Sequence, residues 1–516
     1  MIAATLRTVA APMTRRQTFL WLIAAYVIVQ AGLRLATSSS LGRDDLIEAI
    51  VAQGWALGYN PTQPPLYTWL IVAASDLIGP GVAAHVLVKF ASLYLALLFY
   101  YLAAERALED AYLAALATLA WPMTYMFGWD VTQNYTQSVL LMALSAALMY
   151  LAMRLRDGGG WIDYLALGLV LGLGTLTKYG FAIFAGTLFA AGLVDRRLRR
   201  ALVNRRTILP ILLAMLLIAP HLLWLKFGPH NLRGAFTGAL QVGWRGTYWE
   251  GVAAGLVSML RSSFDFLAPG VVVWVLLFWR ALLPGARTLP ETLATRRLFA
   301  TWLLLSYAVL VAGVFFAGAT AIKYHYMVAV LLPAPIWLML RARDLGLEAA
   351  QRPGWRGQAV AAAAALCVVA VVVVVAWRGF GAPDHCGRCY LHWDYKAVAE
   401  KLRAAGFTRG TILADDHHVG GNLRTYFPDA PMYSLKFPDF VPPRRTPGNG
   451  QCVALWDAAA EGDELPDDVT DFLKIRLGGS VDPMPSSRII ELPYRGSTSR
   501  TLRLGYVLLA GTGMCR

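Results

Sequence analysis

Side chains able to do chemistry in this chain sit at the ends of apolar stretches. Asp44 and Asp45 close the segment Ser38-Ser39-Ser40-Leu41-Gly42-Arg43-Asp44-Asp45, just past the first apolar run. Carboxylates at a membrane boundary are costly to bury, so the pair must face water, a metal ion or a cation. One of the two is expected to cap the helix that follows. Ile47, Ile50, Val51 and Trp55 recur at helical spacing there, which predicts a helix over 46–57 lying flat at the interface. The proline-rich return Gln63-Pro64-Pro65-Leu66-Tyr67 is stiff enough to hold a reactive group in place. Further along stand Asp130, Gln137, Lys178 in Leu176-Thr177-Lys178-Tyr179-Gly180, and Ile322-Lys323-Tyr324-His325-Tyr326. Arg233, Trp244, Arg245, Tyr248, Trp249, Glu250 and Arg261 make a cationic and aromatic loop suited to a lipid phosphate or a stacked sugar. An interfacial aromatic belt accounts for its Trp and Tyr equally well.

Such residues need a scaffold, and composition says which kind. The 516 residues are 57% hydrophobic and 15% charged, against about 45–50% and about 25% in soluble domains. Mean hydropathy is +0.51. The net charge is +14, yet residues 378–516 hold 17 basic and 16 acidic side chains, so the excess lies in the apolar part. There it sets membrane orientation, and nucleic acid is excluded as a partner class. Eleven spans are predicted within residues 1–377, among them Thr18–Ala36, Ala111–Phe127 and Met327–Leu340. Residues 378–516 form a separate soluble domain. Arg7, Arg15 and Arg16 precede the first span, and alternate loops, such as the arginine-rich 196–206, carry most of the remaining basic side chains. The positive-inside rule then places the soluble tail outside.

The tail alternates short helices and strands and predicts a small α/β domain. Strands are expected at Thr411–Ala414, Met432–Leu435, Val453–Trp456, Arg488–Leu492 and Leu502–Leu509. Helices are expected at Tyr395–Ala405, with Asp394 as cap, at Val419–Tyr426 and at Pro466–Leu477. Cys386, Cys389, Cys452 and Cys515 all lie here, an even number that points to disulfides in an oxidising compartment; four cysteines allow three pairings. A zinc site would need a second pair to match Cys386-Gly-Arg-Cys389, and none follows. Asp415-Asp416-His417-His418 is expected to be a surface turn, since neighbours at a strand end point in opposite directions.

The acid pair after the first span, the amphipathic helix and the Pro-Pro-Leu-aromatic return together resemble the polytopic GT-C glycosyltransferases. The likeness is greatest to glycosyltransferase family 39, the bacterial aminoarabinose transferases and protein mannosyltransferases. Thr177-Lys178-Tyr179-Gly180 and Lys323-Tyr324-His325-Tyr326 resemble two further segments of that group. The resemblance implies an inverting, monomeric enzyme among the lipids of a bacterial inner membrane, with its tail in the periplasm. It would move a sugar from a polyprenyl-phosphate donor to lipid A or lipopolysaccharide, another surface glycan, or a protein.

By the same resemblance Asp44, with Asp45 beside it, is the catalytic acid pair, acting as base or organising acceptor and metal. Lys178, Lys323, His325 and Arg245 are the candidates for the donor phosphate. Gln63, Tyr67, Asp130, Gln137 and Tyr324 are the candidates for substrate contacts. A divalent ion (Mg, Mn, Ca or Zn) would use Asp44 as ligand. The chain departs from the group at Gln63-Pro64-Pro65, where Glu-Lys-Pro-Pro is common, so that an acid and a cation are lost, and at Gln137, where an acid is common. A rival of another class is a transporter or flippase of a lipid-linked sugar, but the chain shows no internal repeat and its charges are expected in outer loops.

Overall fold

The computed structural model describes residues 11–228, 246–283, 289–348, 353–381, 383–384, 390–442, 450–475, 478 and 486–509. Arg233, Trp244, Arg245, Cys386, Cys389 and Cys515 lie outside the described residues.

Eight helices build the half that carries the acid pair: α1 (Arg16–Thr37), α2 (Arg43–Val51), α3 (Leu66–Ile78), α4 (Val82–Leu108), α5 (Ala111–Leu119), α6 (Gln137–Arg156), α7 (Trp161–Thr177) and α8 (Phe181–Gly192). The second half of the membrane region holds α9 (Ile208–Phe227), α10 (Tyr248–Leu267), α11 (Gly270–Leu282), α12 (Pro290–Ala317), α13 (Ala334–Asp344) and α14 (Trp355–Phe380). Helices of 22–28 residues, such as α1, α4, α12 and α14, reach at least ~33 Å, enough to cross a ~30 Å hydrocarbon core. Among the described residues six helices are long and apolar enough to cross, or seven if Tyr324–Leu331 and α13, bent by 50° at their junction, count as one.

Three sequence expectations change. The span expected over Ala111–Phe127 ends as a helix at Leu119, and a π-helical turn at Tyr125–Trp129 follows. The late span over Met327–Leu340 is broken, because Pro333 and Pro335 remove amide donors where the helix would continue. The proline-rich return leads into a helix that was not expected, α3 over Leu66–Ile78, and the turn after it at Gly81 lies against Thr425 of the soluble domain.

That domain is a five-stranded sheet in the order β2-β1-β3-β5-β4, with β1 (Gly410–Ala414), β2 (Met432–Ser434), β3 (Gln451–Asp457), β4 (Arg488–Pro493) and β5 (Thr501–Leu509). β1 runs parallel to β2 and β3; β5 runs antiparallel to β3 and β4. Its helices α15 (Tyr395–Ala404), α16 (His417–Leu423) and α17 (Asp467–Ile475) cover the two faces, which carry separate apolar cores. Asp394 caps α15 as expected, accepting from the Ala397 amide. Cys452 is disulfide-bonded.

The joint between the two regions matters most for function. α2 is shorter than its expected 46–57, and it is clamped by the soluble domain instead of lying on a lipid surface. Ile50 is fully buried in that domain's core. Gly420 and Gly421 let α16 approach so closely that a Cβ on them would lie 2.8 Å from Ile50 Cδ1 and 2.9 Å from the Leu46 carbonyl oxygen, respectively. Gln53 and Met432 exchange two hydrogen bonds of 2.7 and 2.8 Å, Asn422 Oδ1 accepts from the Leu41 amide at 2.7 Å, and Arg424 donates to the Ala49 carbonyl at 3.2 Å. Apolar burial and paired backbone groups thus hold α2 in one position.

Candidate active site

A cavity of about 860 Å³ opens where α2, the start of α6, the end of α7, α10 and the segment 322–326 meet. Its lining includes Asp44, Glu48, Gln63, Gln137, Ser138, Lys178, Lys323, Tyr324 and His325. Seven of these nine are sequence candidates from four distant segments; folding brings them to one place.

Asp44 stands in the first turn of α2, where the helix dipole favours an anion. The helix starts at Gly42 with no side-chain cap, so neither acid is the cap. Asp44 Oδ2 accepts from the Tyr135 amide at 3.1 Å. Arg43 and Tyr135, which flank and hold Asp44, both have left-handed φ values (36° and 51°). Such geometry costs about 1–3 kcal/mol per residue and persists where the surroundings enforce it. Burial raises the Asp44 carboxyl above its ordinary value, helped by the Asp45 charge and opposed by Lys89, the Tyr135 amide and Lys178. A carboxylate so placed is a stronger base than one in water.

Asp45 points away from the cavity. Its carboxylate meets Lys89 Nζ at 2.7 Å and His85 Nδ1 at 3.7 Å, one helical turn apart on α4, and all three side chains are at most 5% exposed. Burial alone would raise the Asp45 carboxyl, but Lys89 and His85 hold it well below the usual carboxylate range. Lys89 also corrects the expectation that charges lie only in outer loops: it sits inside an apolar helix. A lone lysine in such a helix was the available signal.

Glu48 escaped the sequence reading, although it follows Asp44 by four residues and so shares its helix face. It accepts from Thr68 Oγ1 at 2.7 Å and from Gln137 Nε2 at 2.9 Å. Burial pushes it up to about 7, with Asp44 and Asp45 adding to the shift and the two hydrogen bonds opposing it. Gln137 Nε2 also donates to Gln63 Oε1 at 2.9 Å. The two places where the chain departs from the group's pattern therefore touch in space.

Lys178, just past the end of α7, donates to Ser138 Oγ at 3.0 Å and lies 5.4 Å from the Tyr326 ring centre. Burial lowers its ammonium to about 8; Lys323 adds to the effect and Asp44 opposes it. The segment carrying Lys323 is pinned by Ile322, whose carbonyl and amide bond Ser262 and Ser258 of α10. His325 packs on Tyr135 at 5.3 Å. Tyr324 donates to Asp130 Oδ2 and accepts from the Tyr135 hydroxyl, both at 2.5 Å. Asp130 thus orients a cavity tyrosine without lining the cavity. Tyr67 is fully buried and belongs to the packing of α3, away from the lining.

Among the described residues, the metal-ligand types form one group of three: Asp416, His417 and His418, with ligand atoms within 4.8 Å of one another. The expectation that these neighbours diverge fails because they sit at a helix start, not a strand end. Asp416 caps α16, and His418 stacks on Tyr390 at 3.8 Å. Around Asp44 no group of three such residues forms among the described residues.

The profile of the dolichyl-phosphate-mannose-protein mannosyltransferase family matches residues 62–224. The lipopolysaccharide core galacturonosyltransferase RgtB of Rhizobium johnstonii is 30% identical over 490 residues, 94% of this chain and 96% of that one. The chain belongs to the GT-C glycosyltransferase family. RgtA of the same organism, also a lipopolysaccharide core galacturonosyltransferase, is 29% identical over 446 residues, 84% and 85% of the two chains. The crystal structure of ArnT from Cupriavidus metallidurans bound to undecaprenyl phosphate shares the fold, with a TM-score of 0.61 over 96% of this chain and 98% of that one at 16% identity. Its apo form gives 0.60 at 14% identity, covering 95% and 98%.

Proposed function

We propose that this transferase moves a uronic acid from a polyprenyl-phosphate donor to the core of lipopolysaccharide, at the periplasmic face of a bacterial inner membrane, with its tail on that side. The observation that carries this reading is Asp44, raised in basicity by burial, facing the same cavity as Lys178 and Lys323. The relatives' activity and the polyprenyl phosphate in the ArnT structure support the substrate classes. The acceptor hydroxyl gives its proton to Asp44 as its oxygen bonds the sugar's anomeric carbon. The bond from that carbon to the phosphate oxygen breaks, and Lys323 with His325 faces the leaving phosphate. Tyr324, held by Asp130, and Tyr135 frame the reacting sugar. No step is assigned to a metal.

The test is sugar transfer by purified protein in lipid discs, from polyprenyl-phosphate uronic acid to lipopolysaccharide core. Asp44→Asn should lower turnover by about 10²–10⁴-fold, the worth of general-base help. Lys323→Ala should chiefly raise the donor KM. Full turnover in Asp44→Asn overturns the reading.

A further inference from the structure

We propose that Gln63, Gln137, Ser138 and Lys178 form the subsite for the carboxylate of the donor's sugar, and that this wall sets the preference for an acidic over a neutral hexose. This deepens the donor reading above and rests on it.

The wall is assembled from three segments by a directional chain of hydrogen bonds. Gln137 turns its amide nitrogen toward Glu48, which in its ionised form can only accept. The second hydrogen on that nitrogen goes to Gln63 Oε1. Gln63 therefore spends its oxygen on Gln137, and its own NH2 group is left to donate into the cavity that it lines. Next to Gln137, Ser138 accepts one proton of the Lys178 ammonium, which has three, and the others are free for a ligand. Gln137 and Ser138 open α6, so the positive end of that helix dipole lies behind them. Amide and ammonium donors converging in this way suit a planar two-oxygen anion.

Charge counting separates this anion from the phosphate. Neither Lys178 nor Lys323 forms an ion pair with a described residue, yet both line one cavity. A phosphodiester carries one negative charge and would match one ammonium group. A uronic acid donor carries a second charge, placed on the sugar, and matches the other. Gln63 and Gln137, being neutral, add no further negative charge to that of Asp44 and Glu48 in the same lining, whereas carboxylates at either position would repel the ligand or neutralise the lysine.

The experiment uses the full-length purified protein, one acceptor, and two polyprenyl-phosphate donors that differ only in bearing a carboxylate or a hydroxymethyl group on the sugar. The readout is the ratio of the two kcat/KM values. Wild type should favour the acidic donor. Lys178→Met and Gln63→Glu should each cut the ratio by about 10- to 100-fold, the range for a charge-assisted hydrogen bond, and Lys178→Arg should restore much of it. Gln63→Glu keeps an oxygen for Gln137, so it guards against a result due to misfolding. Equal losses on both donors would assign Lys178 to the phosphate or to an acid on the acceptor, and overturn the subsite. An unchanged ratio in the variants, with wild type still using the acidic donor, overturns the subsite alone. A wild type that does not use the acidic donor overturns the donor reading itself.

Discussion

Replacing Asp45 with Asn should cost far more than an exposed helix-start acid would. Its carboxylate is the only acidic partner of Lys89 among the described residues, at 2.7 Å, and the two side chains are 5% and 3% exposed. Asp45→Asn leaves an ammonium group buried in an apolar helix without a counter-charge. Removing one member of such a pair costs about 3–5 kcal/mol. A mere cap would cost about 1 kcal/mol. Lys89→Met should be comparably damaging, since it strands the carboxylate with His85 alone. The double variant Asp45→Asn/Lys89→Met removes both charges together. It should recover most of the loss, because a buried pair spends much of its attraction on its own desolvation. Denaturant unfolding of the detergent-solubilised protein, followed by tryptophan fluorescence, measures all three. An Asp45→Asn protein within about 1 kcal/mol of wild type would refute the buried-pair reasoning, and so would a double variant no better than the singles.

Donor affinity should fall as pH rises from neutrality. Glu48 acquires charge as the pH passes about 7 and Lys178 loses it near about 8, so the cavity becomes more negative. The donor KM should therefore climb across this window, and Lys178→Arg, which cannot deprotonate there, should remove the upper part of the rise; a flat KM in wild type contradicts the assignment. Gly421→Val should lower turnover and stability together without touching the cavity, because even a Cβ would lie 2.9 Å from the Leu46 carbonyl oxygen and must push α2 away. Equal activity of this variant and wild type would show that the clamp on α2 is dispensable. Cys452 should resist alkylation until the protein is reduced, as a disulfide-bonded residue must; labelling of the native, unreduced protein would contradict it.

Much was legible in the sequence because some signals are local. Long apolar runs can lower their free energy only in lipid or a core, so a membrane protein could be read from composition alone. Alternation and turn residues located all five strands of the tail to within a few residues. Asp44, Lys178, Lys323 and His325 were identifiable because a charge at the end of an apolar run needs a reason to be there. Other features depended on which residues meet across the fold. Asp44 and Asp45 are neighbours in the chain, yet successive helical positions point about 100° apart, so one faces the cavity and the other faces Lys89. Glu48 is unremarkable in the sequence, and its link to Gln137 exists only because the fold brings α2 and α6 together. The clamp on α2 depends on Gly420 and Gly421, far along the chain from Leu46 and Ile50, whose missing side chains let the soluble domain settle on it. Local patterns determine which segments are helix, strand or span; close packing between distant segments decides which of their side chains share a cavity, and the chemistry lies there.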